Sequence, residues 1–167
     1  MRYLNHCSWL VALPVVVCLG ILAFDATAKE PVKIGAVEKV LLTEYGVTVD
    51  ARIDTGAETS SLDARTIRVL GKKNRKHVTA TIYLGNGQRR KINTRVIRIS
   101  KVKHLSFLSE ERPVIMVALC LGQRYRLIEV TLTNRKEKNY RMSLGQSALG
   151  NGYALDMTKQ NLTKPQC

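Results

Sequence analysis

The stretch Val47-Thr48-Val49-Asp50-Ala51-Arg52-Ile53 runs directly into Asp54-Thr55-Gly56-Ala57. Residues 47, 49 and 53 are β-branched and alternate with more polar ones, the period-two pattern of a half-buried strand. An acid, a hydroxyl and a glycine then end the strand. Gly56 opens backbone angles closed to other residues and lets another chain approach closely. The sequence thus sets one carboxylate in a tight turn at a strand end. Asp and Thr also cap ordinary turns, so the tetrapeptide needs support from elsewhere in the chain. Ser60-Ser61-Leu62 resumes an extended pattern just after it.

The rest of the chain has the same short-strand texture. Val32 to Val40 and Glu38 to Leu42 read as strand, with a hairpin turn at Glu44-Tyr45-Gly46. Ser60 to Leu70 is mixed, and Asp63-Ala64-Arg65 reads as a short helical turn. Val78–Leu84 and Arg89–Ile99 flank Gly85-Asn86-Gly87, a strong hairpin signal. Pro113 to Leu121 is apolar enough for a strand buried on both faces. Gly122-Gln123 turns it into Tyr125 to Thr133, and Asn134 to Asn139 is a charged loop. Tyr140 to Leu144 ends at Gly145, a short helix spans Gln146 to Leu149, and Tyr153 to Asp156 is a last strand. Met157 to Cys167 is polar and reads as loose. The pattern predicts an all-β domain over residues 29–156 with one or two short helices.

Residues 1–28 read as a targeting segment. Arg2 supplies the positive start, Leu10 to Phe24 the apolar run, and Ala26-Thr27-Ala28 a small-x-small cleavage site. The run is short of the about 20 apolar residues a spanning helix needs. A cleaved secretory signal is the expectation, placing the protein in the periplasm or outside the cell; an uncleaved anchor is the alternative. The net charge is +14. Such a charge favours anionic partners; for an exported chain these are envelope polymers or lipid headgroups, and nucleic acid is not expected. The basic stretches Lys72 to His77 and Arg89-Arg90-Lys91 are either a solvated hairpin edge or an anion-binding face. Outside the signal, Cys120 and Cys167 remain. An oxidising compartment permits a bond between them, yet the spacing does not demand one, and Cys120 reads as a packed small hydrophobe.

Two further stretches support the Asp-Thr-Gly loop. Met142-Ser143-Leu144-Gly145, followed by Gln146-Ser147-Ala148-Leu149, resembles the late strand and helix that thread under the active-site loop of retropepsin-type aspartic peptidases. Ile53 to Leu62, Glu111 to Ile115 and Ile128 to Arg135, in that order, are similar to one bacterial retropepsin-like family, long labelled an ATP-dependent zinc protease. Some members of that family accompany ATP-grasp glutamate ligases. The resemblance implies a retropepsin-like (acid protease) barrel. It gives Asp54, Thr55 and Gly56 catalytic roles and makes Ala57, Leu144 and Gly145 the support of their loop. Four features depart from the pattern: Ser143 in place of an apolar residue, Gln146 in place of an arginine, Asp63 in place of a histidine, and a flap over Ser100 to Arg112 without glycine.

An aspartic peptidase needs two carboxylates sharing a proton, and this chain offers one Asp-Thr-Gly. The resemblance therefore implies a homodimer with Asp54 from each subunit, acting on an extended peptide or protein substrate. The alternative is a non-catalytic module of the same fold that binds anionic envelope polymers or a partner protein. The residues do not support the zinc or ATP of the older label. Beyond the signal only His77 and His104 remain, neither with a partner at helical spacing, and no phosphate-binding loop is present. No metal or cofactor is expected.

Overall fold

The computed structural model describes residues 30–72, 75–103 and 109–167. Its first strands are β1 (Val32–Gly35), β2 (Val37–Leu42), β3 (Val47–Ile53), β4 (Ser60–Leu70), β5 (His77–Gly85) and β6 (Gln88–Arg95). There follow β7 (Arg98–Lys103), β8 (Ser109–Leu121), β9 (Arg124–Thr133), β10 (Met142–Leu144), the helix α1 (Gln146–Leu149), a 3-10 turn (Gly150–Gly152) and β11 (Tyr153–Asp156). The all-β expectation with its short helix holds. The expected targeting segment lies outside the described residues.

A barrel of six strands closes in the order β3-β2-β8-β9-β4-β10, because β10 pairs with β4 on one side and β3 on the other. Closure gives each barrel strand a neighbour on both sides over at least part of its length. The alternation in β3 sends Val49, Ala51 and Ile53 into the core and leaves Thr48, Asp50 and Arg52 exposed. The apolar run in β8 is buried on both sides, Val117, Leu119 and Leu121 joining the main core. β5 and β6 continue outward from the far half of β4, and β7 folds back on the near half of β8.

Three expectations need correction. Asp63-Ala64-Arg65 is strand, not a helical turn. Asp63 pairs with Thr133 of β9, and Ala64 and Arg65 pair with β5. Long-range pairing thus overrides a weak local preference. Residues 157–167 are not loose. Glu38, fully buried, accepts hydrogen bonds from the Gly35 amide at 2.6 Å and from the Leu162 amide, the Thr163 amide and the Thr163 hydroxyl at 2.9 Å each. The Ala36 amide donates to Lys159 and the Asn161 amide to Val37. A buried carboxylate needs such donors, and the tail supplies them. Finally, Cys120 and Cys167 form a disulfide, so Cys120 is a cross-link and not merely a small packed side chain.

Candidate active site

Asp54 stands where β3 leaves the barrel. Its amide donates to the Leu144 carbonyl at 2.9 Å, and the Ile53 amide before it donates to Ala36 at 2.9 Å. The loop turns back through the Ala57 amide on the Asp54 carbonyl. The Asp54 side chain is exposed, and among the described residues its carboxylate accepts only the Gly56 amide, at 3.2 Å. Thr55 and Gly56 are exposed beside it.

Leu144 and Gly145 lie beneath this loop. Leu144 is fully buried and pairs with Ile53. A Cβ on Gly145 would come within 2.7 Å of the Glu58 carbonyl oxygen and 2.8 Å of that of Ala57. Only glycine fits so close an approach. The helix that follows is tied to the same loop: Gln146 and Ser147 amides donate to Ala57 and Glu58 at 2.8 and 3.0 Å, and the Ser147 hydroxyl adds a bond to Glu58 at 2.7 Å. The Gly145 amide donates to the buried Ser60 hydroxyl. Gly56 differs from Gly145. A Cβ there would sit 3.5 Å from the Asp54 carboxylate, an ordinary contact, and its φ is not positive. The fold of a single chain does not itself require Gly56.

The departures from the family pattern have partners. Gln146, where the resemblance implies an arginine, donates its side-chain amide to the Thr55 carbonyl at 2.6 Å and so holds the loop by a neutral bond. Ser143 is buried and shares a 2.8 Å hydrogen bond with Ser61; the Arg135 guanidinium donates to Ser61 at 2.6 Å and to Ser143 at 3.3 Å. Asp63 is fully buried. It accepts the Arg135 amide at 2.8 Å and pairs with Arg141 at 3.1 Å and Arg65 at 3.3 Å. The residues replaced at 63 and 143 thus belong to one polar network under the site, and Arg135 links them.

Sequence reasoning missed Arg135. It is half-buried, and among the described residues its guanidinium bonds only to neutral groups: the Tyr140 carbonyl, Ser61 and Ser143. Burial pulls it below the ordinary arginine range, while the Asp54 and then the Asp63 carboxylates push back; Arg112 and Arg52 lower it further. These charges therefore share one neighbourhood. Arg52, on β3, lies two residues before Asp54, and both are exposed. Arg52, Arg135, Glu137, Lys138, Asn139 and Tyr140 line a hollow of about 250 Å³. The signal in the sequence was the density of cations in 134–141, which reads locally as a solvated loop.

The arms of β7 and β8 form the hairpin expected as a flap; its tip, with Leu105, Phe107 and Leu108, lies outside the described residues, as does His104. The described residues do not fit a zinc ion. His77 is exposed at the start of β5, paired in register with Arg95, and no three His, Cys, Asp or Glu side chains among the described residues gather into a metal-holding cluster.

An acid on a tight loop, braced from below by an apolar residue and an obligatory glycine within a closed six-strand barrel, is the architecture of the aspartic peptidase class. A family model described as RimB-like, retropepsin-like aspartic endopeptidase RimB, matches residues 33–166, and the chain belongs to that family. It is 33% identical over 127 residues to a probable alpha-L-glutamate ligase of Shewanella pealeana, and 32% over 131 residues to one of Desulfotalea psychrophila. The matches cover 74% and 76% of this chain but 28% of each relative. The chain thus spans little more than a quarter of the length of those relatives. The crystal structure of Lpg0085 from Legionella pneumophila, a protein of unknown function (DUF785), superposes with a TM-score of 0.66 at 31% identity, covering 81% of this chain and 100% of that one.

Proposed function

We propose that the chain is an exported aspartic endopeptidase whose active site is completed by a second copy. The observation that carries this reading is the state of Asp54: an exposed carboxylate that among the described residues accepts only the Gly56 amide, on a loop whose backbone is fixed from beneath. In the dimer the two Asp54 carboxylates would share one proton, since like charges so close cannot both ionise. The ionised member takes a proton from a water as its oxygen attacks the scissile carbonyl carbon. The protonated member hydrogen-bonds the developing oxyanion. Collapse then breaks the C–N bond as the amide nitrogen takes up a proton, with no covalent intermediate. Thr55 would bond across the two-fold axis, and Gly56 leaves room for substrate or partner backbone. The β7–β8 hairpin would cover an extended substrate, which pairs with exposed backbone.

The surroundings of Asp54 support a narrower substrate. Arg52, Arg135 and Lys138 line one hollow with a single acid, Glu137, among them. Guanidinium groups bind carboxylates by paired hydrogen bonds, so acidic side chains next to the scissile bond fit this hollow. Homology to part of several proteins named glutamate ligases agrees with a glutamate-bearing substrate. Export is supported by the Cys120–Cys167 disulfide, which persists in oxidising compartments, together with the apolar run at residues 10–24.

The test is cleavage of a peptide library by purified protein, with Asp54→Asn beside it. Loss of about a thousand-fold in rate, with fold and dimer intact, is the expected result. A wild-type protein that dimerises yet cleaves nothing from acid to neutral pH would leave the non-catalytic binding module as the better reading.

A further inference from the structure

The charge of this chain is concentrated. Residues 64–109 hold thirteen lysines and arginines and no aspartate or glutamate, against a net +14 for the whole chain. The fold gathers much of that stretch onto one open sheet, made of the far half of β4 with β5 and β6. The inner face of the sheet is sealed by Val78, Ala80, Ile82 and Leu84. On the outer face, Thr81 pairs with Arg65 and Lys91, Thr79 with Arg68 and Asn93, and Tyr83 with Arg89. The register slips between Arg65 and Arg68, where Thr66 has a φ of 52°. That bulge restores the alternation, so both arginines reach the outer face while Ile67 turns to the core.

Little on the molecule neutralises these cations. Arg65 stacks 3.8 Å over the Tyr83 ring and pairs with Asp63. Arg68, Arg89, Lys91 and Arg95 are exposed and have no ion pair among the described residues. A charged edge discourages strand addition, which accounts for charge on β6 but not for a whole face. At one end of the sheet β4 finishes on Leu70, 57% exposed and in register with the exposed His77, next to the exposed Lys72 and Arg75. An aliphatic side chain left in water beside a field of cations has no role in the barrel.

We propose that the outer face of β4, β5 and β6, with Leu70 at its end, is a docking surface for an anionic phospholipid bilayer. The face is flat and open, about 10 Å across and about 25 Å long from strand spacing and rise, which suits a planar partner. Each cation close to an anionic bilayer gains from its surface potential. Leu70 enters the boundary between headgroups and acyl chains, a gain that a hydrated polyanion such as DNA does not offer. Between Thr81, Tyr83, Arg89 and Lys91 a shallow hollow of about 410 Å³ has room for a headgroup phosphate. This surface is separate in sequence from Asp54, and the proposal stands whether or not the chain cleaves peptides.

The test is co-sedimentation of the full chain with vesicles of phosphatidylcholine alone and with phosphatidylglycerol added. Residues 10–24 are apolar enough to contribute to either vesicle, so the readout is the ratio between the two. The expected ratio is about ten-fold or more, lost at high salt and in the R68E/R89E/K91E/R95E variant. Leu70→Asp should lower anionic binding several-fold while part of the ratio remains. If the quadruple variant does not melt cooperatively, R89Q/K91Q, changing two exposed edge-strand side chains, should still reduce the ratio several-fold. A wild-type ratio near one, or a ratio unchanged by these substitutions in folded protein, overturns the proposal. So does short duplex DNA that binds the wild type more tightly than anionic vesicles do, which would make nucleic acid the partner.

Discussion

β4 serves two regions that follow different rules. Its first residues, Ser60 to Asp63, pair with β9 and lie against the Asp54 loop; from Ala64 onward it pairs with β5 in the outer sheet. In the barrel half, every contact is specified. Gly145 admits no side chain, Ser60 serves one amide, and Asp63 accepts from two arginine side chains and an amide. In the outer half the inner face is packed, but Arg68, Arg89, Lys91 and Arg95 on the outer face have no ion pair among the described residues. The difference separates geometry from charge. The barrel half holds one carboxylate in one place, whereas the outer half presents a field whose value lies in its sum.

Substitutions can break this comparison, beginning with the residue at its boundary. Asp63→Ala should cost about 3 kcal/mol or more, because it strands Arg141 and the Arg135 amide in a partly buried site. Urea melting would show it, and an unchanged midpoint would mean the network carries no stability. Gly145→Ala should cost about 2 to 3 kcal/mol by forcing the Ala57 and Glu58 carbonyls apart. If the proposed function is right, it should also lower the cleavage rate more than its effect on folded fraction explains. Ser143→Ala removes a partner of both Ser61 and Arg135 and should cost about 1 kcal/mol, read as a small fall in melting temperature. Arg89→Gln with Lys91→Gln, on the outer face, should change stability by no more than about 0.5 kcal/mol. A large loss there would mean the outer sheet is as tightly specified as the barrel.

The same contrast explains what the sequence disclosed. β3 and the β5–β6 hairpin were legible because alternation and glycine turns act over neighbouring residues. The support under Asp54 was legible because Leu144-Gly145 keeps a fixed order after the charged loop. Asp63 was misread because its neighbours Ala64 and Arg65 suit a helix, whereas the deciding partners, Arg135 and Arg141, are 72 and 78 residues away. The tail hid its role for the same reason. One of its anchors is the carboxylate of Glu38, 125 residues before Thr163, and polar composition does not reveal a distant buried acceptor. Gly56 stood out in the sequence, but the single chain would tolerate a side chain there; Gly145 is the glycine that geometry requires.

The pairing of β10 with β3 has a consequence for the order in which the molecule can assemble. β2 and β3 can form a hairpin as soon as they meet, since a few residues separate them. Met142 opposite Ala51 and Leu144 opposite Ile53 close a loop of roughly 90 residues, and such long closures slow folding. The Asp54 loop therefore has no floor until nearly all of the described chain is in place. A nascent or partly unfolded molecule carries the acid but not the brace that positions it. The geometry around the carboxylate arrives late and as a unit, together with the closure of the barrel.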